Sequence, residues 1–173
     1  MTYQLIETKT LGTAAASIEF TSIPQDGTDL LLVTALRSDD GVVAQEALVA
    51  FNGSTSSFSA RQLYAFGTTV ASTTPARQVG GHPSSQVTAN TFGNTSIYIP
   101  NYAGSTNKSY SVDSVSENNS SSQYFLNIVA GLWSNTAAIT TITITSGAGN
   151  LIAGSTISLY KITKGSSGGV VVS

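Results

Sequence analysis

Cysteine is absent from this sequence, so neither a disulfide framework nor a thiolate metal site can form. Charge is scarce. Asp, Glu, Lys and Arg make up 9% of the chain, against about 25% in ordinary soluble proteins. The few Lys and Arg are scattered from Lys9 to Lys164 and build no basic patch, which argues against electrostatic binding to nucleic acid. No apolar run is long enough to span a membrane as a helix. Residues 1–16 lack a basic start and a continuous apolar stretch, so no cleaved leader is expected. No window shows a convincing 3.6-residue period and no segment repeats, which argues against helical, solenoid and propeller folds.

Hydroxyls take the place of the missing charge. Ser and Thr together number 49 of 173 residues, so the surface must be built from hydroxyls and amides. That composition suits an exterior protein that stays soluble in variable salt. A chain of this length forms one domain and buries roughly 70% of its unfolded surface, enough for a core without staples.

The clearest pattern lies between Ala130 and Ile162. Ile142 and Ile144 alternate with Thr141, Thr143 and Thr145, a period of two in β-branched residues that suits a half-buried strand. Ser146 to Asn150 interrupts it with turn formers, and a second strand follows through Ile157, Leu159, Tyr160 and Ile162, the two reading as a closing hairpin. Upstream, strands are expected at Tyr3–Glu7 (an edge), Ala16–Phe20, Asp29–Arg37, Val42–Phe51, Phe58–Phe66, Phe92–Tyr98, Ser109–Ser116 and Gln123–Trp133. Turns fall at Ile23–Gly27, Ser38–Gly41 and Asn52-Gly53. Residues 73–86 read as an exposed loop, because Ser, Thr, two prolines and Gly80-Gly81-His82-Pro83 interrupt every periodicity. Short strands with regular turn signals predict an all-β fold, an antiparallel β-sandwich of jelly-roll kind, spanning residues 1–163. Residues 164–173 read as a flexible Gly/Ser tail ending in Val170, Val171 and Val172, three strand-forming residues suited to adding a strand to a partner's sheet edge.

Several segments in this order resemble a family of small β-rich bacteriophage virion proteins found among tail or fibre genes. They are IEFTSIPQDGTDLLLV (18–33), VAFNGST (49–55) with QLYAFGTTVAS (62–72), GLWSNTAAITTITIT (131–145) and GSTISLYKI (154–162). The family pattern has an IEF-x-x-IP start, an F-N-G turn, a tryptophan-led AITSI strand and a GSTISLYGI ending. This chain departs from it at LYKITKG and in its longer tail, and residues 73–91 match nothing in the pattern. The resemblance implies a non-enzymatic module on the virion exterior that decorates or cements capsid or tail, working as a homotrimer with other virion proteins. The alternative is a tail module that grips host surface glycans.

The residues themselves offer little catalytic chemistry. His82, the only histidine, lies in the Gly/Pro segment and reads as a solvent histidine, with no G-x-S-x-G near it. Asp26, Asp29, Asp39 and Asp40 sit at turns with a spacing that matches no Ca²⁺ loop, so neither metal nor cofactor is expected. Glu19, Glu46 and Asp113 alternate with apolar neighbours and should face water, leaving no buried carboxylate pair for glycoside hydrolysis. Tyr64, Phe66, Tyr98, Tyr102 and Tyr110 are the candidates for stacking on sugar rings, with Tyr64, Tyr98 and Tyr102 foremost. Trp133, following a long apolar strand, is expected in the core or a subunit interface. Asp29–Arg37 and Gln123–Trp133 are apolar on both faces, whereas a lone sandwich buries one face of each sheet. The other face calls for a cover, hence the expected self-association.

Overall fold

A computed structural model describes residues 1–120 and 125–164. Residues 121–124 and the three C-terminal valines lie outside the described residues, and so does all of the tail beyond Lys164. Twelve strands and no helix occur among the described residues. In chain order they are β1 (Thr2–Thr10), β2 (Ser17–Phe20), β3 (Asp29–Leu36), β4 (Ala44–Phe51), β5 (Phe58–Phe66), β6 (Thr69–Thr73), β7 (Gln78–Pro83), β8 (Gly93–Pro100), β9 (Lys108–Ser116), β10 (Phe125–Trp133), β11 (Ile142–Ser146) and β12 (Thr156–Thr163).

Two antiparallel sheets face each other. One has the order β2-β11-β4-β7, the other β1-β12-β3-β8-β9-β10-β5-β6. Counting the β8–β10 meander as one position and starting at β2, the facing orders are 1-8-3-6 and 2-7-4-5. That is the jelly-roll arrangement, in which successive strands cross between sheets. Three strands stand where a plain jelly roll has one. An odd number preserves direction, so β3 and β5 keep the orientations an antiparallel sheet demands. β12 and β1 widen the same sheet beyond β3.

The alternation seen in the sequence is the burial pattern of the strands. β9 alternates buried and exposed without a break from Lys108 to Ser116. Ile142 and Ile144 of β11 are fully buried and pair with Phe20 and Ile18 of β2 and with Phe51 and Val49 of β4. Against them pack Leu30, Leu32, Ile97, Ile99, Val112 and Val129 from the larger sheet, in one continuous core. Trp133 is 1% exposed and stacks on Phe58 at 6.1 Å between ring centroids, with Phe51 edge-on at 5.6 Å.

Two expectations need correcting. Residues 73–86 are not an exposed loop: all six residues of β7 are buried. Gly80 and Gly81 look like loop formers, yet here they let β7 lie directly on β9 and β10. A Cβ at Gly81 would overlap the Phe125 ring, and one at Gly80 would come within 2.6 Å of Ser114 Oγ. Gly80 also has φ of 109°, open to glycine and strained for other residues. The closing pair is not a hairpin either. β11 and β12 lie in different sheets, and the connection is pinned midway, where Leu151 bridges to both Ala15 and Ser38. Asn52-Gly53 does turn the chain, with both residues at positive φ. Asn52 also ties down the stretch before β11: its Nδ2 donates to Ala138 O at 2.8 Å, and its Oδ1 accepts from Thr140 N and Thr141 N.

Candidate functional site

The outer face of the eight-stranded sheet is the first feature without an internal partner. On β10, Leu126 and Ile128 are 49% and 59% exposed. The pairing register seats them beside Ala65 and Leu63 of β5 and beside Val115 and Asp113 of β9. Val70 of β6, opposite Ala65, extends the group. Each neighbour follows from period two: once Val129, Gly131 and Trp133 point inward, Leu126, Ile128 and Ala130 must point outward. Among the described residues, Asp113 is the one carboxylate directly flanking this apolar row, and no second layer covers the row.

A cleft of about 780 Å³ opens where the two sheets part. β7 ends one sheet and β6 ends the other, and no described strand closes this corner. Its walls carry Gln45, Glu46 and Leu48 of β4, Gln62, Tyr64 and Phe66 of β5, Arg77 and Gln78, and Phe125 of β10. Gln62 and Gln78 are nearly fully buried. Gln62 Nε2 donates to Asn127 Oδ1 at 2.5 Å, and Asn127 Nδ2 has no partner. Phe66 and Phe125 meet edge to face at 5.6 Å. Arg77 Nη1 donates to Val49 O at 3.2 Å.

The three foremost tyrosines proposed for sugar contact have different fates. Tyr64 lines the cleft, half-buried. Tyr98 stands on the outer face and donates to Asp29 Oδ2 at 2.7 Å. Tyr102 is fully buried, its hydroxyl donating to Pro24 O and accepting from Gly27 N, which makes it a core residue and removes it from the sugar-contact candidates. His82 is likewise not a solvent histidine: it is 1% exposed, with Nδ1 at 3.3 Å from Pro83 O and Nε2 unpartnered. Burial pushes its imidazolium pKa down. The turn aspartates are dispersed and individually engaged. Asp26 pairs with Lys161 at 2.7 Å, Asp39 accepts from Asn150 N, and Asp40 accepts from Gln45 Nε2. Among the described residues no three His, Asp or Glu side chains gather as a metal site would require. Glu19, Glu46 and Asp113 are exposed.

Asp29 is a buried anchor, not an exposed turn carboxylate. It accepts from Tyr98, from Asn101 N at 3.0 Å and from Lys164 Nζ. Burial pushes its pKa up, but those donors outweigh burial and hold it below the ordinary value. The hydrogen bond to Asp29 in turn pushes Tyr98 up to about 12, with burial adding to it. The signs follow from linkage. Asp29 contributes stability that is present above pH 3.8 and is lost as pH falls through its folded value. Tyr98 contributes stability that is complete below pH 10 and is lost as pH rises towards about 12. Ultraviolet titration of the native chain should show phenols ionising near 12, Tyr98 together with the buried Tyr110. Tyr98→Phe should remove one equivalent from that step. A wild-type curve without any step above the ordinary phenol range would contradict the Asp29 contact.

Among the described residues, fold and sites together define a jelly-roll β-sandwich with an open corner and an uncovered apolar face. Comparison with family models, curated proteins and solved structures finds no match, so the functional reading rests on the geometry and on the resemblance of the segments. The cleft has no local signature in the sequence, because β7 reads as a loop. Leu126 and Ile128 belong to Gln123–Trp133, whose second apolar face the sequence shows, whereas Leu63 is legible only as an apolar residue on the outward phase of its strand.

Proposed function

We propose that this chain is a non-enzymatic structural module of a bacteriophage virion exterior, which decorates or cements the particle by docking through the outer face of its eight-stranded sheet. The observation that carries the docking surface is the row Leu63, Leu126, Ile128 and Val70, each about half exposed or more. A contiguous apolar patch is a liability on a free monomer and ordinary in an interface. The occupant is a second copy of the chain, in a homotrimer as the resemblance implies, with other virion proteins beyond it. The segment resemblance supplies the virion setting.

Sedimentation velocity at micromolar concentration tests the docking. The full chain should sediment as an oligomer, and the double variant Leu63→Lys/Ile128→Lys as a monomer. Its melting temperature should stay within a few degrees of the parent, since substitutions at exposed positions usually change stability by less than about 0.5 kcal/mol. A stable monomer for the parent chain would overturn the reading.

A second reading, recognition of host surface glycans, is favoured by the position of Tyr64 in the cleft.

A further inference from the structure

The open corner of the sandwich is built differently from the rest of the interior. Elsewhere the interior is filled mainly by Ile, Leu, Val and aromatic side chains, with buried polar exceptions such as Thr95, Ser114 and Lys108. Here the deep lining residues are amides, Gln62 at 4% and Gln78 at 3% exposed, and Gln62 is held by Asn127, which lies outside the lining. Amides at this depth need hydrogen-bond partners, which apolar side chains would not. An amide floor beneath an aromatic-lined opening suits a ligand rich in hydroxyls.

The remaining groups narrow the class. Tyr64, Phe66 and Phe125 give the cleft an apolar wall, and the face of an exposed aromatic ring attracts the slightly positive C–H hydrogens of a sugar ring. Gln45, Gln62, Gln78, Glu46 and Arg77 are planar polar groups. Such groups engage two adjacent hydroxyls at once, as donor, as acceptor or as both. The charges in the lining are one carboxylate and one guanidinium, Glu46 and Arg77, and no ion pair joins them among the described residues. The lining is therefore neutral overall. An anionic ligand would meet Glu46, a cationic one Arg77, and a purely apolar one would leave the amides unpaired. The volume, about 780 Å³, lies inside the usual range of ligand sites.

We infer that this cleft binds a neutral oligosaccharide, with Tyr64 as the stacking platform and Gln62, Gln78, Glu46 and Arg77 as the hydroxyl-binding groups. The inference deepens the glycan reading and is independent of the docking one.

The test titrates the isotopically labelled full chain with neutral trisaccharides of glucose, mannose and galactose, and with a trisaccharide of galacturonic acid for contrast. Amide resonances are followed by NMR. At millimolar ligand at least one neutral trisaccharide should shift residues 44–48, 62–66 and 75–78, and the acidic one should not. Tyr64→Leu keeps an apolar side chain but loses the ring, and should weaken binding about tenfold or more, a difference of about 1.4 kcal/mol. Glu46→Ala, at an exposed position that folding does not need, should weaken binding as well and decides the matter should Tyr64→Leu fail to fold. The Leu63→Lys/Ile128→Lys variant should bind sugar like the parent. Shifts confined to another surface, such as that around Tyr98, would overturn the cleft and leave glycan recognition standing. No binding by any neutral trisaccharide would overturn both. Tighter binding of the acidic trisaccharide would overturn the neutral class.

Discussion

Trp133→Ala is expected to lower the unfolding free energy by about 3–5 kcal/mol, the range for removing a large aromatic from a packed core. The side chain is 1% exposed and is enclosed by its own chain, between Phe51 of the smaller sheet and Phe58 of the larger. Phe51 also meets Tyr110 edge-on at 6.0 Å, so one substitution loosens a cluster that holds both sheets together. The indole Nε1 has no acceptor. Trp133→Phe should therefore cost much less than the alanine change, because it retains an aromatic ring and deletes an unsatisfied donor. Denaturant unfolding followed by circular dichroism checks both, as the far-ultraviolet signal survives loss of the single tryptophan. Equal costs for Phe and Ala would mean that the indole N–H finds a partner in solution. No measurable cost for Ala would remove Trp133 from the core.

The strands that could be read from the sequence are those in which one face is buried and one is wet. ITITS of β11 and SYSVDSVS of β9 announce themselves, because β-branched or aromatic residues alternate with hydroxyls and the pleat turns that alternation into burial. β7 could not be read this way. All its residues are buried, so it has no wet face to alternate with, and its glycines were selected by the approach of Ser114 and Phe125, which lie more than thirty positions downstream. His82 was misread along with it. The closing pair shows a different limit. Two good strands around a Gly-rich connection look alike whether they pair with each other or cross between sheets. The bridges from Leu151 to Ala15 and Ser38, more than a hundred residues away, decide the matter. The cleft inherits both difficulties. It exists because β6 and β7 end different sheets, so its lining comes from five strands and a loop that share no local pattern.

Lys108→Ala is expected to destabilise the chain by about 2–4 kcal/mol, although a lysine at the start of a strand reads as a surface residue. Lys108 is fully buried. Its register partner is Trp133, and its ammonium donates to Gly104 O at 2.7 Å, to Thr106 O and to Thr136 O. None of the ion pairs among the described residues includes it. Carbonyl dipoles alone offset its charge, tying the 101–107 turn to the segment after Trp133. Lys108→Met keeps most of the apolar stem and loses the three donors, so its cost relative to alanine separates packing from hydrogen bonding. The pH dependence separates them further. Burial holds the Lys108 pKa below 10.5. Between its folded value and 10.5 the unfolded chain binds more protons than the folded one, so this group's contribution to stability rises with pH. Below that window the folded state carries the full desolvation penalty of the ammonium. The stability of wild type over Lys108→Met should therefore widen as pH is raised into the alkaline range. Subtracting the Met variant cancels the opposing loss from Tyr98 and Tyr110, which both variants share. A gap that stays constant or narrows would mean that Lys108 titrates as it does in water and that its carbonyl cage is open to solvent.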